Sequence, residues 1–415
     1  MFLQATVWRW IAHPIFCVLV PVAGNAATDA DAVAATQLSQ AVEKSRGVDK
    51  AQLTQAADKS RVEGKAQFIA AKDLPPDTRL EKLIDGFDVI WGLETISEND
   101  ALVTVKTGKM YHVNFKQMTR VELQGVPKVS TTGQAGLLDV RLSPDYATTQ
   151  FIYFTYSKKT PKGDTTALAR ARFKISDKSL SAVSDLFVGT TDNGGAVHFG
   201  SRITFDNSGH VFFGIGDRGE RDRCQELNWH NGKIIRLKLD GSVPKDNPFV
   251  GTKNALPEIY SLGHRNPQGL YFSLKDGKLY NSEHGPRGGD EINDVRKGLN
   301  YGWPVVTFGR EYYGPKIGEG TAKSGMEQAF KVYVPSIAPS SLIKYESGKI
   351  KAFANSFVLG ALVLEHLNVV SADGKKETRY LESMSERIRQ VKESPEGNLL
   401  FTTDDGEIYR ISPAS

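Results

Sequence analysis

Residues 205–217 read FDNSGHVFFGIGD, in which a turn of Asp, Asn, Ser and Gly leads into a short apolar run. Turn residues followed by apolar side chains at alternate positions are a β-hairpin signal. The same plan recurs four more times, at 96–115, 142–157, 273–285 and 394–412. No long amphipathic helical pattern interrupts these segments. The repeated hairpin therefore predicts an all-β fold.

The spacing of the hairpins indicates a repeat. Gly209 and Gly277 are 68 positions apart, and Gly277 and Gly397 are 120 apart, or two units of 60. Repeats of this size made only of strands are typical of a β-propeller, because each blade needs neighbours to cover both faces. The stretch from Arg79 to Pro413 divides into six blades of about 56 residues. We predict a six-bladed β-propeller. Five or seven blades, or a pair of antiparallel sandwiches, are the alternatives.

The N-terminus precedes this repeat and has a different composition. Residues 1–26 place Arg9 and His13 before an apolar run that ends in small residues, as in a secretory signal peptide. An uncleaved membrane anchor is the alternative. The apolar run is shorter than the roughly 20 residues of a membrane span, which favours cleavage. Residues 27–76 are rich in Ala and Gln and predict a helical or flexible extension. The propeller domain is expected at 77–415, in a periplasmic or secreted protein.

Composition and net charge limit the kinds of molecule that the protein is expected to bind. The 415-residue chain is 40% hydrophobic and 24% charged, which is typical of a globular protein. Its net charge of +4 is too small to indicate binding to nucleic acid or to an anionic membrane. Cleavage of the signal peptide would remove Cys17 and leave Cys224 alone, which excludes an intrachain disulfide. A small molecule is the expected partner.

Polar loop motifs between the strands carry a family resemblance. They are VHFGSR (197–202), GHRNPQGL (263–270), EHGPRGGDEIN (283–293) and NYGWP (300–304), with GQAGLLDVRLSPDYA (133–147) before them and ERIRQV (386–391) after them. In this order they resemble the soluble quinoprotein sugar dehydrogenases, the glucose/sorbosone or aldose sugar dehydrogenases that use pyrroloquinoline quinone (PQQ). The resemblance runs from about Trp91 to Ile411. Several motifs in one order are more specific than any single short match.

The resemblance implies roles for individual residues. His198 matches the general base that removes a sugar hydroxyl proton while hydride passes to the quinone, and Arg265 matches the cation that stabilises the reduced quinone. The other residues that match cofactor contacts are Gln134, Asn266, Tyr312, Arg387 and Arg389. Arg387 and Arg389 alternate on one strand and should face the same side, where guanidinium groups suit the carboxylates of PQQ. An exposed charged strand face is the alternative for these two arginines.

A divalent cation is implied as well. Backbone carbonyls of Gly285 and Pro286 match those that hold calcium beneath the quinone, and Glu291 and Tyr301 match ligands of a calcium site nearby. Oxygen donors of this kind suit calcium rather than zinc or copper. The alternative for Asp290 and Glu291 is a solvated acidic turn.

Three features depart from the family pattern. Val363 follows a Gly-Ala-Leu triplet, where relatives commonly carry a basic residue that reaches the cofactor. Thr104, Val105 and Lys106 stand where relatives often read Thr-Glu-Arg, and the N-terminal extension has no family counterpart. We expect an oxidoreductase that oxidises an aldose-type sugar and passes its electrons on to an external acceptor. A non-catalytic carbohydrate- or protein-binding propeller and a calcium-dependent lactone hydrolase are the alternatives, because one fold serves many functions.

Overall fold

The computed structural model of the protein describes residues 67–69, 72–192 and 195–414. The expected signal peptide at 1–26 and most of the expected extension lie outside these residues. Within them, no helix is long and apolar enough to cross a membrane. The longest α-helix of the described part is α1 (Tyr146–Thr149), a single turn, and three short 3₁₀ helices lie in loops.

Twenty-five strands make up the rest of the regular structure of the described residues. The first two of these are β1 (Gln67–Ile69) and β2 (Thr78–Ile84). The first blade consists of β3 (Ile90–Thr95), β4 (Asp100–Val105), β5 (Lys109–Asn114) and β6 (Thr119–Glu122). The second consists of β7 (Leu137–Leu142), β8 (Phe151–Thr160), β9 (Gly163–Arg172) and β10 (Ser181–Val188). The third consists of β11 (Ile203–Phe205), β12 (His210–Ile215), β13 (Lys233–Lys238) and β14 (Ile259–Leu262).

The remaining blades follow in the same order. The fourth consists of β15 (Pro267–Ser273), β16 (Lys278–Glu283), β17 (Asp290–Val295) and β18 (Lys331–Tyr333). The fifth consists of β19 (Pro339–Lys344), β20 (Phe357–Ala361), β21 (Leu367–Val370) and β22 (Glu377–Tyr380). The sixth combines β23 (Ile388–Glu393), β24 (Leu399–Thr403) and β25 (Ile408–Pro413) with β2 and β1. The 3₁₀ helices are Arg221–Gln225, Lys351–Phe353 and Glu382–Met384.

The prediction of six blades is confirmed, and each repeated hairpin corresponds to the first two strands of a blade. Each of the five predicted hairpins joins the first strand of a blade to the second, as the 206–209 turn joins β11 to β12. All strands within a blade pair antiparallel, so their turns alternate between the two ends of the sheet. The hairpin turns therefore lie on one face of the ring. Loops from second to third strands, and from each blade to the next, lie on the other face.

The sixth blade closes the ring with strands from both chain ends. β2 pairs with β25 over the register Thr78↔Pro413 to Ile84↔Ile408. β1 then adds a fifth strand to the outer edge of β2, with Phe68 opposite Glu81. The sequence analysis placed these three residues in the extension, and that assignment is wrong. A three-residue strand is too short to produce a period-2 pattern, and it forms because the edge of β2 offers unpaired backbone groups.

The hydrophobic core is divided among the interfaces between blades. Leu102, Val140 and Phe154 pack between the first and second blades, for example, and Leu83, Val103 and Leu400 between the sixth and the first. Each fully buried aliphatic or aromatic side chain of this kind stabilises the fold by roughly 1.5–3 kcal/mol. The ring is thus held together by its interfaces, and its polar loops are not needed for packing.

One buried arginine joins the inner strands. Arg202 donates hydrogen bonds to the Trp91 carbonyl at 2.9 Å, to Asp139 Oδ1 at 2.9 Å and to Gln390 Oε1 at 2.6 Å. It also donates to the carbonyls of Gln268, at 3.1 Å, and Arg389, at 3.0 Å. These partners come from the first, second, fourth and sixth blades, whereas Arg202 precedes β11 of the third. A planar guanidinium with five donors suits such a junction, which fixes the blades against one another beneath the polar loops.

Candidate active site

His198 lies in the loop from the second to the third blade and forms a pair with Asp217 from the neighbouring loop. Its Nδ1 is 2.6 Å from Asp217 Oδ1. Because an ionised carboxylate only accepts hydrogen bonds, Nδ1 carries the proton and Nε2 keeps its lone pair. Nε2 has no hydrogen-bond partner among the described residues, and 16% of the side chain is exposed. The ring therefore presents a proton acceptor to the space above the loops.

Burial and nearby charges keep His198 neutral and Asp217 ionised, the protonation states that a general base requires. Burial and the positive charge of Arg265 lower the pKa of His198, so the ring is neutral near pH 7. Burial alone would raise the pKa of Asp217. The charge and hydrogen bond of His198, together with Arg265, instead lower it to about 2. Asp217 is further fixed by the indole of Trp303, whose Nε1 donates to Oδ2 at 2.9 Å.

The backbone around His198 adopts an uncommon conformation. His198 has φ +53° and Ser201 has φ +104°, and few residues other than glycine adopt such values. A Cβ on Gly216 would lie 2.2 Å from the His198 carbonyl oxygen, so only glycine fits there. The His198 amide donates to Gln134 Oε1 at 2.7 Å. The loop is thus held from both sides, a geometry that is common at functional sites.

Arg265 and Asn266 reach the same place from the loop between the third and fourth blades. Asn266 Oδ1 accepts a hydrogen bond from the Gly200 amide at 3.2 Å. The Asp217 amide donates to the Arg265 carbonyl at 2.7 Å. The Arg265 guanidinium donates to the Gly285 carbonyl at 2.8 Å and stands 5.3 Å from the Trp303 ring centroid. The structure therefore brings Gln134, His198, Arg265 and Asn266 together.

Arg387 and Arg389 reach the same carboxylate, although Arg387 lies just before β23 and a bulge interrupts the strand register between Ile388 and Gln390. Both bind Asp404, Arg387 through Nε at 2.8 Å and Arg389 through Nε at 2.8 Å and Nη2 at 2.7 Å. Only 13% of the Arg389 side chain is exposed, against 35% for Arg387. The alternative of an exposed charged strand face is wrong for Arg389. Two guanidinium groups share one carboxylate, so this part of the site keeps a net positive charge.

A second histidine–carboxylate pair lies behind Arg265. His264 Nδ1 donates to Glu283 Oε1 at 2.9 Å, and His264 Nε2 accepts a hydrogen bond from Ser261 Oγ at 2.9 Å. The His264 side chain is fully buried and stacks on the Tyr301 ring, with centroids 4.8 Å apart. The Tyr301 hydroxyl donates to the Asp294 carbonyl at 2.6 Å. Tyr301 could therefore serve a metal through its backbone carbonyl rather than through its hydroxyl.

The expected metal ligands lie around a narrow cavity lined by Gly285, Glu291, Tyr301 and Glu283, among others. Burial and the negative charge of Glu283 raise the pKa of Glu291 to about 8. Asp290 is fully buried and accepts hydrogen bonds from the backbone amides of Gly285, at 2.8 Å, Ile337, at 2.8 Å, and Ala338, at 2.7 Å. The alternative of a solvated acidic turn is therefore wrong. Asp290 instead shapes the loop that carries Gly285 and Pro286.

One predicted residue stands apart from this group. Tyr312 is 58% exposed and makes no hydrogen bond with any described residue. Sequence reasoning also missed two carboxylates, Asp217 and Glu283. Both lie at the end of a second strand, in quoted motifs, and the need of a buried histidine for an acceptor partner was the signal that could have found them.

The loops on one face of the propeller thus bring together a histidine–aspartate pair and three arginines, a set of groups suited to acid–base chemistry on an anionic ligand. The profile described as Glucose / Sorbosone dehydrogenase matches residues 87–410. Aldose sugar dehydrogenase YliI of Escherichia coli K12 is 38% identical over 351 residues, which cover 82% of this chain and 94% of that protein.

Solved structures agree with that match. The apo-form of the soluble aldose sugar dehydrogenase from E. coli superimposes with a TM-score of 0.78 at 36% identity, covering 81% of this chain and 99% of that one. The PQQ-bound form of aldose sugar dehydrogenase from Streptomyces coelicolor gives a TM-score of 0.68 at 27% identity, covering 82% and 99%. The chain belongs to the glucose/sorbosone dehydrogenase family and is an oxidoreductase.

Proposed function

We propose that this protein oxidises an aldose at its anomeric hydroxyl, with PQQ as hydride acceptor and calcium as an electrostatic partner. The observation that carries the proposal is the free Nε2 of His198. It lies on a ring that Asp217 orients and that burial, together with Arg265, keeps neutral by lowering its pKa. A similar protein from Streptomyces coelicolor has been solved in a PQQ-bound form.

His198 and Arg265 divide the chemistry between them. Nε2 would accept the proton of the anomeric hydroxyl as the electron pair of the C–H bond leaves the sugar, which becomes a lactone. PQQ, when bound, supplies the group that takes up this hydride. Arg265, fixed by the Gly285 carbonyl, places a permanent positive charge where negative charge would develop. Asp217 stabilises the imidazolium that forms on His198.

The residues present fit a tricarboxylic cofactor. Arg387 and Arg389 share the single carboxylate of Asp404 and so retain positive charge for a further anion. Gln134 and Asn266 supply side-chain amides, and each accepts a hydrogen bond from the backbone of the loop that carries His198. The arginines would bind the carboxylates of a flat quinone, and the amides would bind its carbonyl groups.

The residues also fit calcium. Buried Glu283 and half-buried Glu291 lie opposite each other on paired strands, and the amide oxygens of Asn281 and Asn293 are buried without a hydrogen-bond partner. Unpaired buried oxygens carry a free-energy cost that a hard cation would remove. Glu291 and the Tyr301 carbonyl would supply ligands to this ion, and the carbonyls of Gly285 and Pro286 would supply ligands to an ion beneath the quinone. Arg265 already uses one lone pair of the Gly285 carbonyl, which leaves the second for a metal.

Titration with PQQ and calcium tests this proposal. We expect saturable changes in quinone absorbance, oxidation of aldoses with an artificial electron acceptor, and weaker quinone binding after calcium is chelated. Because ligands that bind only the folded state stabilise it, calcium and PQQ together should also raise the melting temperature. A protein that binds PQQ but oxidises no aldose would be a binding propeller instead.

We further propose that residues 1–26 are removed on export, so that the propeller domain at 77–415 works outside the cytoplasm and is preceded by an extension from residue 27. The apolar run and small residues before position 27 support this proposal. The intact mass of protein from the native host decides it, since a mass that includes residues 1–26 would contradict cleavage.

A further inference from the structure

Lys106 is a half-buried cation that the assigned site does not yet include. It follows β4 directly, in the loop to β5, and so occupies in the first blade the position that Asp404 occupies in the sixth. Its ammonium forms no ion pair or hydrogen bond with any residue in the described ranges. By contrast, Lys109 in the same hairpin is 51% exposed and pairs with Glu122 at 2.9 Å.

Backbone contacts place Lys106 between the Gln134 loop and Arg389. The Lys106 amide donates to the Val89 carbonyl at 2.9 Å, and the Leu137 amide donates to the Lys106 carbonyl at 3.3 Å. The side-chain stem crosses Gly136, since a Cβ on that glycine would lie 2.8 Å from Lys106 Cγ. Lys106 therefore lies beside the loop that carries Gln134, on the same face of the ring.

The carboxylates near Lys106 leave its ammonium without a direct partner among the described residues. The side chain interacts electrostatically with Arg389, Asp404 and Asp88, and burial together with the charge of Arg389 lowers its pKa. Asp404 is already bound by Arg387 and Arg389, and Asp88 is exposed. A half-buried ammonium that has no hydrogen-bond partner and lies near the positive charge of Arg389 is costly unless an anion joins the two cations.

We propose that Lys106 binds a carboxylate of the quinone cofactor and, with Arg387 and Arg389, forms a three-cation anion site where the first and sixth blades meet. The proposal rests on the proposed PQQ-dependent function. It gives a ligand-binding role to a residue in a loop from the second to the third strand of a blade. A strongly hydrated point charge on a flexible stem suits a monodentate contact to a carboxylate.

The test compares Lys106→Met with Lys109→Met in the calcium-loaded protein. Methionine keeps the length of the stem and removes the charge. We expect Lys106→Met to raise the Kd for PQQ roughly tenfold, the effect of losing one charge-assisted contact. Lys109→Met should leave the Kd unchanged, and Lys106→Arg should restore most of the affinity. Quinone fluorescence or absorbance gives the Kd without any turnover.

Three further readouts make the outcome decisive. The melting temperature of cofactor-free Lys106→Met should equal or exceed that of the wild type, because the ammonium has no partner to lose. The difference in Kd should shrink at high salt, where the charge is screened. If the wild type binds PQQ and Lys106→Met binds it equally well, the Lys106 proposal is wrong and the proposed function stands. If the wild type binds no PQQ, both fall.

Discussion

Two histidine–carboxylate pairs lie on neighbouring loops of the same face, and they differ at a single atom. His198 pairs with Asp217 and His264 with Glu283, in each case through Nδ1. In His264 the other nitrogen accepts a hydrogen bond from Ser261, whereas in His198 it has no hydrogen-bond partner among the described residues. The comparison teaches that a carboxylate partner alone does not prepare a histidine to accept a proton. The second nitrogen must also be left without a partner.

Of the variants that test this comparison, His198→Ala should have the largest effect on turnover. We expect His198→Ala to lower kcat for aldose oxidation by roughly 10² to 10⁴, the usual contribution of a general base. Quinone affinity should change little, whereas the melting temperature should fall modestly because buried Asp217 loses its hydrogen bond to Nδ1. Turnover within a few-fold of the wild type would show that the proton leaves by another route.

Asp217→Asn should have the next largest effect. The asparagine cannot hold the imidazolium by charge, and it can present an amide donor to Nδ1, which disfavours the productive tautomer. We expect kcat to fall by about 10²-fold. Since the Asp217 charge raises the pKa of His198, its removal should also move the acid limb of kcat/KM to lower pH. A pH–rate profile of the variant measures both effects, and an acid limb that moves upward would contradict the pairing.

His264→Ala should behave in the opposite way. It removes a fully buried ring that stacks on Tyr301, and it leaves Glu283 and Ser261 without their shared partner. We expect the free energy of unfolding to fall by about 2–4 kcal/mol, measured by chemical denaturation. The kcat of the folded fraction should change by less than about threefold, since such losses are felt mainly as stability. A large loss of kcat at unchanged stability would break the comparison.

The smallest effect concerns the wild-type pH profile. Burial and Arg265 lower the pKa of His198 from its ordinary value of 6.5. A general base works when neutral, so kcat/KM should stay high as the pH falls past 6.5 and decline only below it. An acid limb above 6.5 would mean that the Asp217 charge outweighs burial and Arg265.

The fold was more predictable than the site because its signals are local. The turn at 206–209 and the alternation in 210–215 specify a hairpin without reference to the rest of the chain, and five such signals suffice to count six blades. Strand β1 escaped because it depends on the edge of a distant strand. The partnership of His198 with Asp217 escaped for a related reason, since it joins the loop before β11 to the loop after β12, 19 positions apart. Family motifs located His198 and Arg265, but Tyr312 lies exposed and makes no hydrogen bond with a described residue.

The way the ring closes has a consequence for how the chain is made. The sixth blade pairs β2 with β25, and a salt bridge there joins Glu81 to Arg410, 329 positions later. Contacts this far apart in sequence form slowly, and here they cannot form before the last strand has left the ribosome. During synthesis the first five blades are therefore an open arc with an uncovered apolar face at each end. A chain that loses its last few residues would remain in that state, vulnerable to proteases and to association with other open arcs.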